Sequence, residues 1–211
     1  MKIESEKPIP PAVKNRLPRY YRYLSELQKN ERSKISSEEL SKLMDVTASQ
    51  IRQDFNCFGG FGQQGYGYNI GQLRGEIGRI LGIERGFSAV IAGAGNLGTT
   101  LAQNGIFSKR NVALLAVFDI DPKIIGKKIA GLTIRHIDEA ALYCRENNVD
   151  IAVLTLPKNE TQAVAEMFAA AGVKGFWNFS NMELKIENPE IKVQNIHMGD
   201  SLMMLCMQLN G

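Results

Sequence analysis

The chemically most suggestive residues form a glycine-rich hexamer, Gly93-Ala94-Gly95-Asn96-Leu97-Gly98, between an apolar run and a helix-like stretch. In that context a G-x-G-x-x-G has a division of labour: the first glycine permits a tight turn, the second admits a pyrophosphate to the backbone, and the third lets a helix pack closely on a strand. The phosphates then lie where unpaired N–H groups and the helix dipole favour anions. Asp119 lies 21 residues beyond Gly98, at the end of the next apolar run. A carboxylate at that place can hold an adenine ribose diol and would repel a 2′-phosphate, which favours NAD(H) over NADP(H).

A cofactor site alone does not make an enzyme. The two histidines, His136 and His197, stand beside no Lys, Tyr or carboxylate in the pattern of a hydride-transfer site, and the residues beyond about 180 amount to one strand and one helix. No catalytic residue is therefore expected. The three cysteines, Cys57, Cys144 and Cys206, are far apart and outside CxxC pairs, so they are read as core fillers in a reducing compartment, with no disulfide framework and no metal site. A rival reading is a small NAD- or CoA-dependent enzyme whose N-terminal helices only dimerise; it would turn over an alcohol, aldehyde or acyl substrate and ignore palindromic DNA.

The elements that must position these residues fall into two halves. In the second, apolar strand candidates at 87–92, 112–118, 151–156 and 173–179 alternate with helical candidates at 97–107, 137–147 and 161–171. Near-continuous apolar strands alternating with helices imply a parallel sheet covered on both faces, a Rossmann-like α/β unit over 86–211. Six consecutive apolar residues, Leu202 to Met207, go fully around a helix, so the C-terminal helix must be surrounded; insertion into a second subunit as a domain swap is expected.

The first half, 1–85, reads as helical. Pro10 and Pro11 open a helix whose apolar stripe runs from Val13 to Leu27, with an interruption expected at Pro18. Ser36 with Glu39 and Thr47 with Gln50 form two capping boxes, which open a pair of short helices separated by a turn at Asp45-Val46, a helix-turn-helix. Five glycines around Gln63-Gln64 then suggest a hairpin, the wing, and residues 69–83, with Ile70, Leu73, Ile77, Ile80 and Leu81 at helical spacing, a connecting helix. With Ile51 and Phe55 inward, Thr47, Ser49, Gln50, Arg52 and Gln53 face outward as hydroxyl and amide readers of base edges with a cation for phosphate. Residues 1–85 carry 14 Lys+Arg against 10 Asp+Glu, whereas residues 86–211 carry 11 against 12, so the excess positive charge lies in the half that would meet a polyanion. Apolar residues at 44% and charged residues at 22% describe an ordinary globular chain, and no apolar run nears the roughly 18 residues that span a bilayer. A cytoplasmic location is expected.

Taken together, RLPRYYRYL (16–24), TASQIRQDFNCFGGFGQQGYGY (47–68), GAGNLG (93–98), FDIDP (118–122), LTLP (154–157) and WNFS (177–180) closely resemble the Rex family of redox-sensing transcriptional repressors, over essentially the whole chain. The resemblance implies a homodimer that exchanges C-terminal helices, binds a palindromic operator through its winged helices, and is released by NADH, with NAD⁺ permitting or favouring binding. It implies that Gly93, Gly95, Asn96, Leu97 and Gly98 cradle the pyrophosphate, that Asp119 holds the ribose, and that Thr155, Pro157, Asn178 and Phe179 lie near the nicotinamide. It also implies a pairing of Arg16 with Asp200 of the partner's swapped helix. Three positions depart from the family pattern. Gln53 stands where many relatives have Lys or Arg, which suits adenine over guanine and shifts the expected half-site from TTGTGA toward TTGTTA. Gln64 replaces a basic residue at the wing tip, and Asn104 replaces a tyrosine near the nicotinamide.

Overall fold

The computed structural model describes residues 9–59, 62–63 and 67–210, and the chain divides into two compact units, Met1–Arg85 and Gly86–Gly211. In the first unit, α1 (Pro11–Lys29) carries proline at its first turn and buries Val13, Leu17, Tyr20 and Leu24. The helix runs through Pro18 without interruption, contrary to the expectation from sequence. Proline removes a single backbone donor, and the apolar stripe continues on both sides of it.

Strand β1 (Lys34–Ile35) precedes α2 (Ser37–Met44), whose capping box is complete: Glu39 N–H donates to Ser36 Oγ at 3.1 Å, and Ser36 N–H to Glu39 Oε2 at 2.9 Å. Asp45 closes α2 in the left-handed region (φ 52°), which a short polar side chain tolerates. Then α3 (Ala48–Asn56) begins, with Thr47 Oγ1 accepting from Gln50 N–H; the reciprocal half of this second box is missing, because the Gln50 side chain is engaged elsewhere. Strands β2 (Gly62–Gln63) and β3 (Gly67–Asn69) come next, and β1-β3-β2 form a small antiparallel sheet that leads into α4 (Ile70–Ile80). Gly67 lets β3 approach β1, since a Cβ there would sit 2.7 Å from the Ile35 carbonyl oxygen. Phe55 holds the unit together, its ring 4.9 Å from those of both Tyr20 and Tyr68.

The second unit is a sheet of seven strands: β4 (Phe87–Ala92), β5 (Val112–Asp119), β6 (Lys128–Ile129), β7 (Leu132–His136), β8 (Ile151–Leu154), β9 (Gly175–Asn178) and β10 (Lys192–Asn195). Their order is β10-β9-β8-β4-β5-β7-β6, parallel throughout except for β6. Alternation within the apolar strands feeds two layers. Val90, Phe118 and Leu154 pack with α6 (Ala140–Glu146) and α7 (Lys158–Ala170) through Cys144 and Phe168. Ile91, Val117 and Val153 pack with Leu101 of α5 (Asn96–Gln103) and with Phe107. Strand β7 has no counterpart among the strand candidates, because it buries only Ile134 and so lacks the apolar run that betrays a central strand.

Helix α8 (Met198–Leu209) buries none of its 12 residues; Leu202, Met203, Met204, Leu205 and Met207 are each at least half exposed. Of the three cysteines only Cys144 is a core filler, with burial pushing its thiol up to about 11; Cys57 is half-buried and Cys206 exposed.

Candidate functional site

The strand order reverses between β4 and β8, and in an open parallel sheet the crevice at that switch point is where a nucleotide binds. Strand β4 ends there in the glycine loop. Gly93 sits at φ 98°, and a Cβ on it would lie 2.7 Å from the Thr155 carbonyl oxygen; on Gly98 a Cβ would lie 1.9 Å from the Gly93 carbonyl oxygen. On Gly95 it would meet nothing within 4 Å. Two of the glycines are thus demanded by the fold, while the space over the third suits a ligand pressed against the backbone. Gly95 is the N-cap of α5 and supplies no capping side chain, so the opening N–H groups at Asn96 and Leu97 suit an anion.

Asp119 closes β5 beside this loop. Its Oδ2 accepts from Ala94 N–H at 2.6 Å and its Oδ1 from the N–H groups of Ile120 and Asp121 at 2.7 and 2.9 Å. The carboxylate is therefore aimed before any ligand arrives, and its acceptor capacity still allows ribose hydroxyls. A dinucleotide fits the residues present.

The side chains expected near the nicotinamide have more varied roles. Thr155 Oγ1 lies 2.8 Å from the Gly93 carbonyl oxygen and 3.1 Å from that of Ala92, so its hydroxyl braces the glycine loop from beneath. Asn178 is buried and its amide is spent inside the protein: Nδ2 donates to Met182 O and Asn195 Oδ1, and Oδ1 accepts from Ser180 N–H and Oγ–H. It ties β9 to β10 and shapes the crevice wall. Phe179 lies 4.7 Å from Trp177 with the two rings tilted at 59°, and Pro157 is exposed as the N-cap of α7. Asn104 caps α5, its Oδ1 accepting from Ile106 N–H.

On the winged unit, Thr47, Ser49, Arg52 and Gln53 are exposed along α3. Arg52 Nη1 donates to Ser37 Oγ at 2.9 Å, which ties α3 to the start of α2. Gln50 does not face outward freely as the sequence suggested; it is half-buried, and its Nε2 donates to Asp54 Oδ1 at 2.8 Å. Gln64 lies outside the described residues. Asp54 escapes the sequence reading altogether, although it is fully buried and also accepts from Arg16 Nε (2.6 Å), Arg16 Nη2 (2.7 Å) and the Tyr20 hydroxyl (2.8 Å). An acid between two buried apolar residues, Ile51 and Phe55, on an otherwise acid-free helix is the available signal. Burial pushes Asp54 up, but the donors Arg16, Tyr20 and Gln50 outweigh it and hold the carboxyl below its ordinary value. Arg16, given to the partner's Asp200 by the resemblance, thus has a partner within its own unit. Asp200 is exposed in the first turn of α8.

A winged helix-turn-helix joined to a dinucleotide-binding Rossmann unit defines a ligand-responsive DNA-binding protein. Residues 8–56 match the family described as "Putative DNA-binding protein N-terminus", and residues 85–182 the family described as "CoA binding domain". The redox-sensing transcriptional repressor Rex of Clostridium botulinum (strain Alaska E43 / Type E3) is 44% identical over 208 residues, 99% of both chains. That of Caldicellulosiruptor bescii is 47% identical over 199 residues, 94% of this chain and 91% of the relative. The crystal structure of RSP in complex with β-NAD⁺ and operator DNA superposes with a TM-score of 0.89 at 43% identity, covering 97% of this chain and 94% of the other. RSP in complex with β-NADH gives 0.88 at 40% identity over 97% and 95%. The chain belongs to the Rex family of redox-sensing transcriptional repressors.

Proposed function

We propose that this chain is an NADH-sensing transcriptional repressor: residues 1–85 bind a palindromic operator, residues 86–211 bind NAD(H) and dimerise, and NADH releases the DNA. The observation that carries the reading is the prepared cradle, with open space over Gly95 at a helix N-terminus and Asp119 aimed beside it, in the same chain as an outward-facing recognition helix. The related RSP structures hold NAD⁺ with operator DNA in one case and NADH in another. Although residues 85–182 match a CoA-binding family, the Asp119 carboxylate favours an unphosphorylated ribose diol.

The bound nicotinamide contributes a ring that is neutral when reduced and cationic when oxidised. Phe179 and Pro157 offer it apolar contact and no counter-charge, so burying the oxidised ring costs more. Thr155 and Asn178 hold the loop and the crevice wall in place around it. The backbone N–H groups at 95–98 carry the pyrophosphate and Asp119 the ribose. No catalytic role is assigned to any residue, and the genes served are those of fermentative or respiratory NADH reoxidation, in the cytoplasm. Among the described residues no helix is long and apolar enough to cross a membrane.

The dimer forms by exchange of α8, whose apolar surface is covered by the partner. On α1, Arg16 binds Asp54 through Nε and Nη2, and the resemblance gives its guanidinium a second carboxylate, Asp200 of the partner subunit. Operator contacts come from Thr47, Ser49, Gln50, Arg52 and Gln53, joined by Gln64 as the resemblance implies.

The test is an anisotropy titration of the full chain on TTGTTA and TTGTGA palindromes, with NADH, NAD⁺ or NADPH added. Binding is expected to be tighter on TTGTTA and to be lost with NADH but not NADPH. Typical coupling of about 1–3 kcal/mol corresponds to roughly 5- to 150-fold, and reciprocity requires operator DNA to weaken NADH binding by the same factor. Equal NADH affinity with and without operator, measured by calorimetry, defeats the reading.

A further inference from the structure

The winged unit buries one carboxylate completely and surrounds it with four hydrogen bonds from three side chains, Arg16 and Tyr20 on α1 and Gln50 on α3. Packing alone does not call for a charge there, since an apolar residue of similar volume commonly serves stability as well or better. What a buried carboxylate does impose is polarity. It accepts and cannot donate, so only the NH2 end of the Gln50 amide can meet Asp54 Oδ1, and the carbonyl Oε1 is left as the acceptor offered to a ligand. Gln50 is the third residue after the Thr47 N-cap, in the N-terminal turn through which a recognition helix meets base edges.

We propose that Asp54 is a positioning residue that sets the direction of the Gln50 amide, making Gln50 a reader of exocyclic amino groups, adenine N6 or cytosine N4, in the operator's major groove. This rests on the reading of the chain as an operator-binding repressor. A free glutamine amide can turn to offer its carbonyl or its NH2, and so can satisfy amino and keto edges alike. The amide held by Asp54 keeps its second N–H beside the carboxylate and cannot turn over, so Oε1 stays the acceptor on the opposite side, which favours amino groups over guanine O6 or thymine O4. Arg16 and Tyr20 complete the device: Arg16 neutralises the carboxylate and both fix it to α1, so that the direction is set before DNA arrives.

The experiment varies each base pair of a TTGTTA half-site in turn and measures affinity for the full wild-type chain, Asp54→Asn, Gln50→Met and the double variant. Wild type should show one position where adenine or cytosine is preferred to guanine and thymine by about fivefold or more, the worth of one hydrogen bond. Asp54→Asn should lose that amino-over-keto preference at that position alone, Gln50→Met should lose it too, and the double variant should be no worse than Gln50→Met. Uniform weakening at every position in Asp54→Asn, or a full preference surviving in Gln50→Met, overturns the proposal. Should Asp54→Asn fail to fold by circular dichroism, NMR of the wild-type chain decides: the Gln50 side-chain amide protons should be shifted downfield and slow to exchange before operator is added, and averaged, fast-exchanging protons overturn it. Failure of the wild type to bind any palindrome while still binding NADH defeats the repressor reading itself, and this proposal with it.

Discussion

Gly95 and Gly98 are the same residue type three positions apart, yet they should fail differently when given a methyl group. At Gly98 a Cβ would overlap the Gly93 carbonyl oxygen at 1.9 Å and press on Thr155 Oγ1 at 2.9 Å, so Gly98→Ala should disrupt the loop and lower the melting temperature as well as cofactor affinity. At Gly95 the methyl enters open space, so Gly95→Ala should leave the melting temperature unchanged and weaken NADH binding about tenfold or more by occupying the phosphate approach. Fluorescence titration with NADH beside thermal melts of both variants checks this; equal losses of stability would show that Gly95 serves the fold and not a ligand. The roles of Thr155 and Asn178 are not legible at this scale. Their types suit ligand contact, and only the positions of Gly93 O, Met182 and Asn195 reveal that their polar atoms are already used.

Between elements, the contact of α1 with α3 carries the buried ion pair. Asp54 lies below its ordinary value when folded, so its contribution to stability is present above the usual carboxylate range and is lost as pH falls through the folded value. Asp54→Asn should therefore cost about 3 kcal/mol at neutral pH, where Arg16 is left without its counter-ion, and the gap from wild type should shrink on acidification. Urea titrations followed by circular dichroism at pH 7 and pH 3 measure it, and a gap that stays constant with pH would remove the ion pair as its source. The cap of α2 should survive that acidification, since hydrogen bonds from Arg32 and from Ser36 hold Glu39 down to about 2. Both capping boxes can be read from residue spacing, but only the first is complete, because the Gln50 amide donates to Asp54 and does not accept from the Thr47 N–H as Glu39 accepts from Ser36.

For the whole molecule, the proposed dimer rests on α8. It exposes Leu202, Met203, Met204, Leu205 and Met207 and contributes nothing to the core of its own chain, which leaves far more contiguous apolar surface than a lone soluble helix can carry. The wild type should sediment as a dimer of a 23.4 kDa chain, and Leu202→Glu with Leu205→Glu should give a monomer whose Rossmann unit remains folded. A double variant that stays dimeric would assign the interface elsewhere. The same substitutions should abolish cooperative binding to a palindrome, since two half-sites need two linked heads.

Local patterning is enough for the two-unit plan, the parallel sheet, the glycine cradle with Asp119, the helix-turn-helix and the uncovered apolar surface of α8, because each is encoded by periodicity, by turn glycines or by a continuous apolar run. Three features exist only once distant segments have met. Strand β7 forms because β5 offers it a ladder, not because its own residues demand one. Thr155 and Asn178 turn inward because neighbouring backbone groups need them. Asp54 acquires its meaning from Arg16, 38 positions away in the chain, and no spacing rule connects two side chains that come together only after α3 has packed against α1.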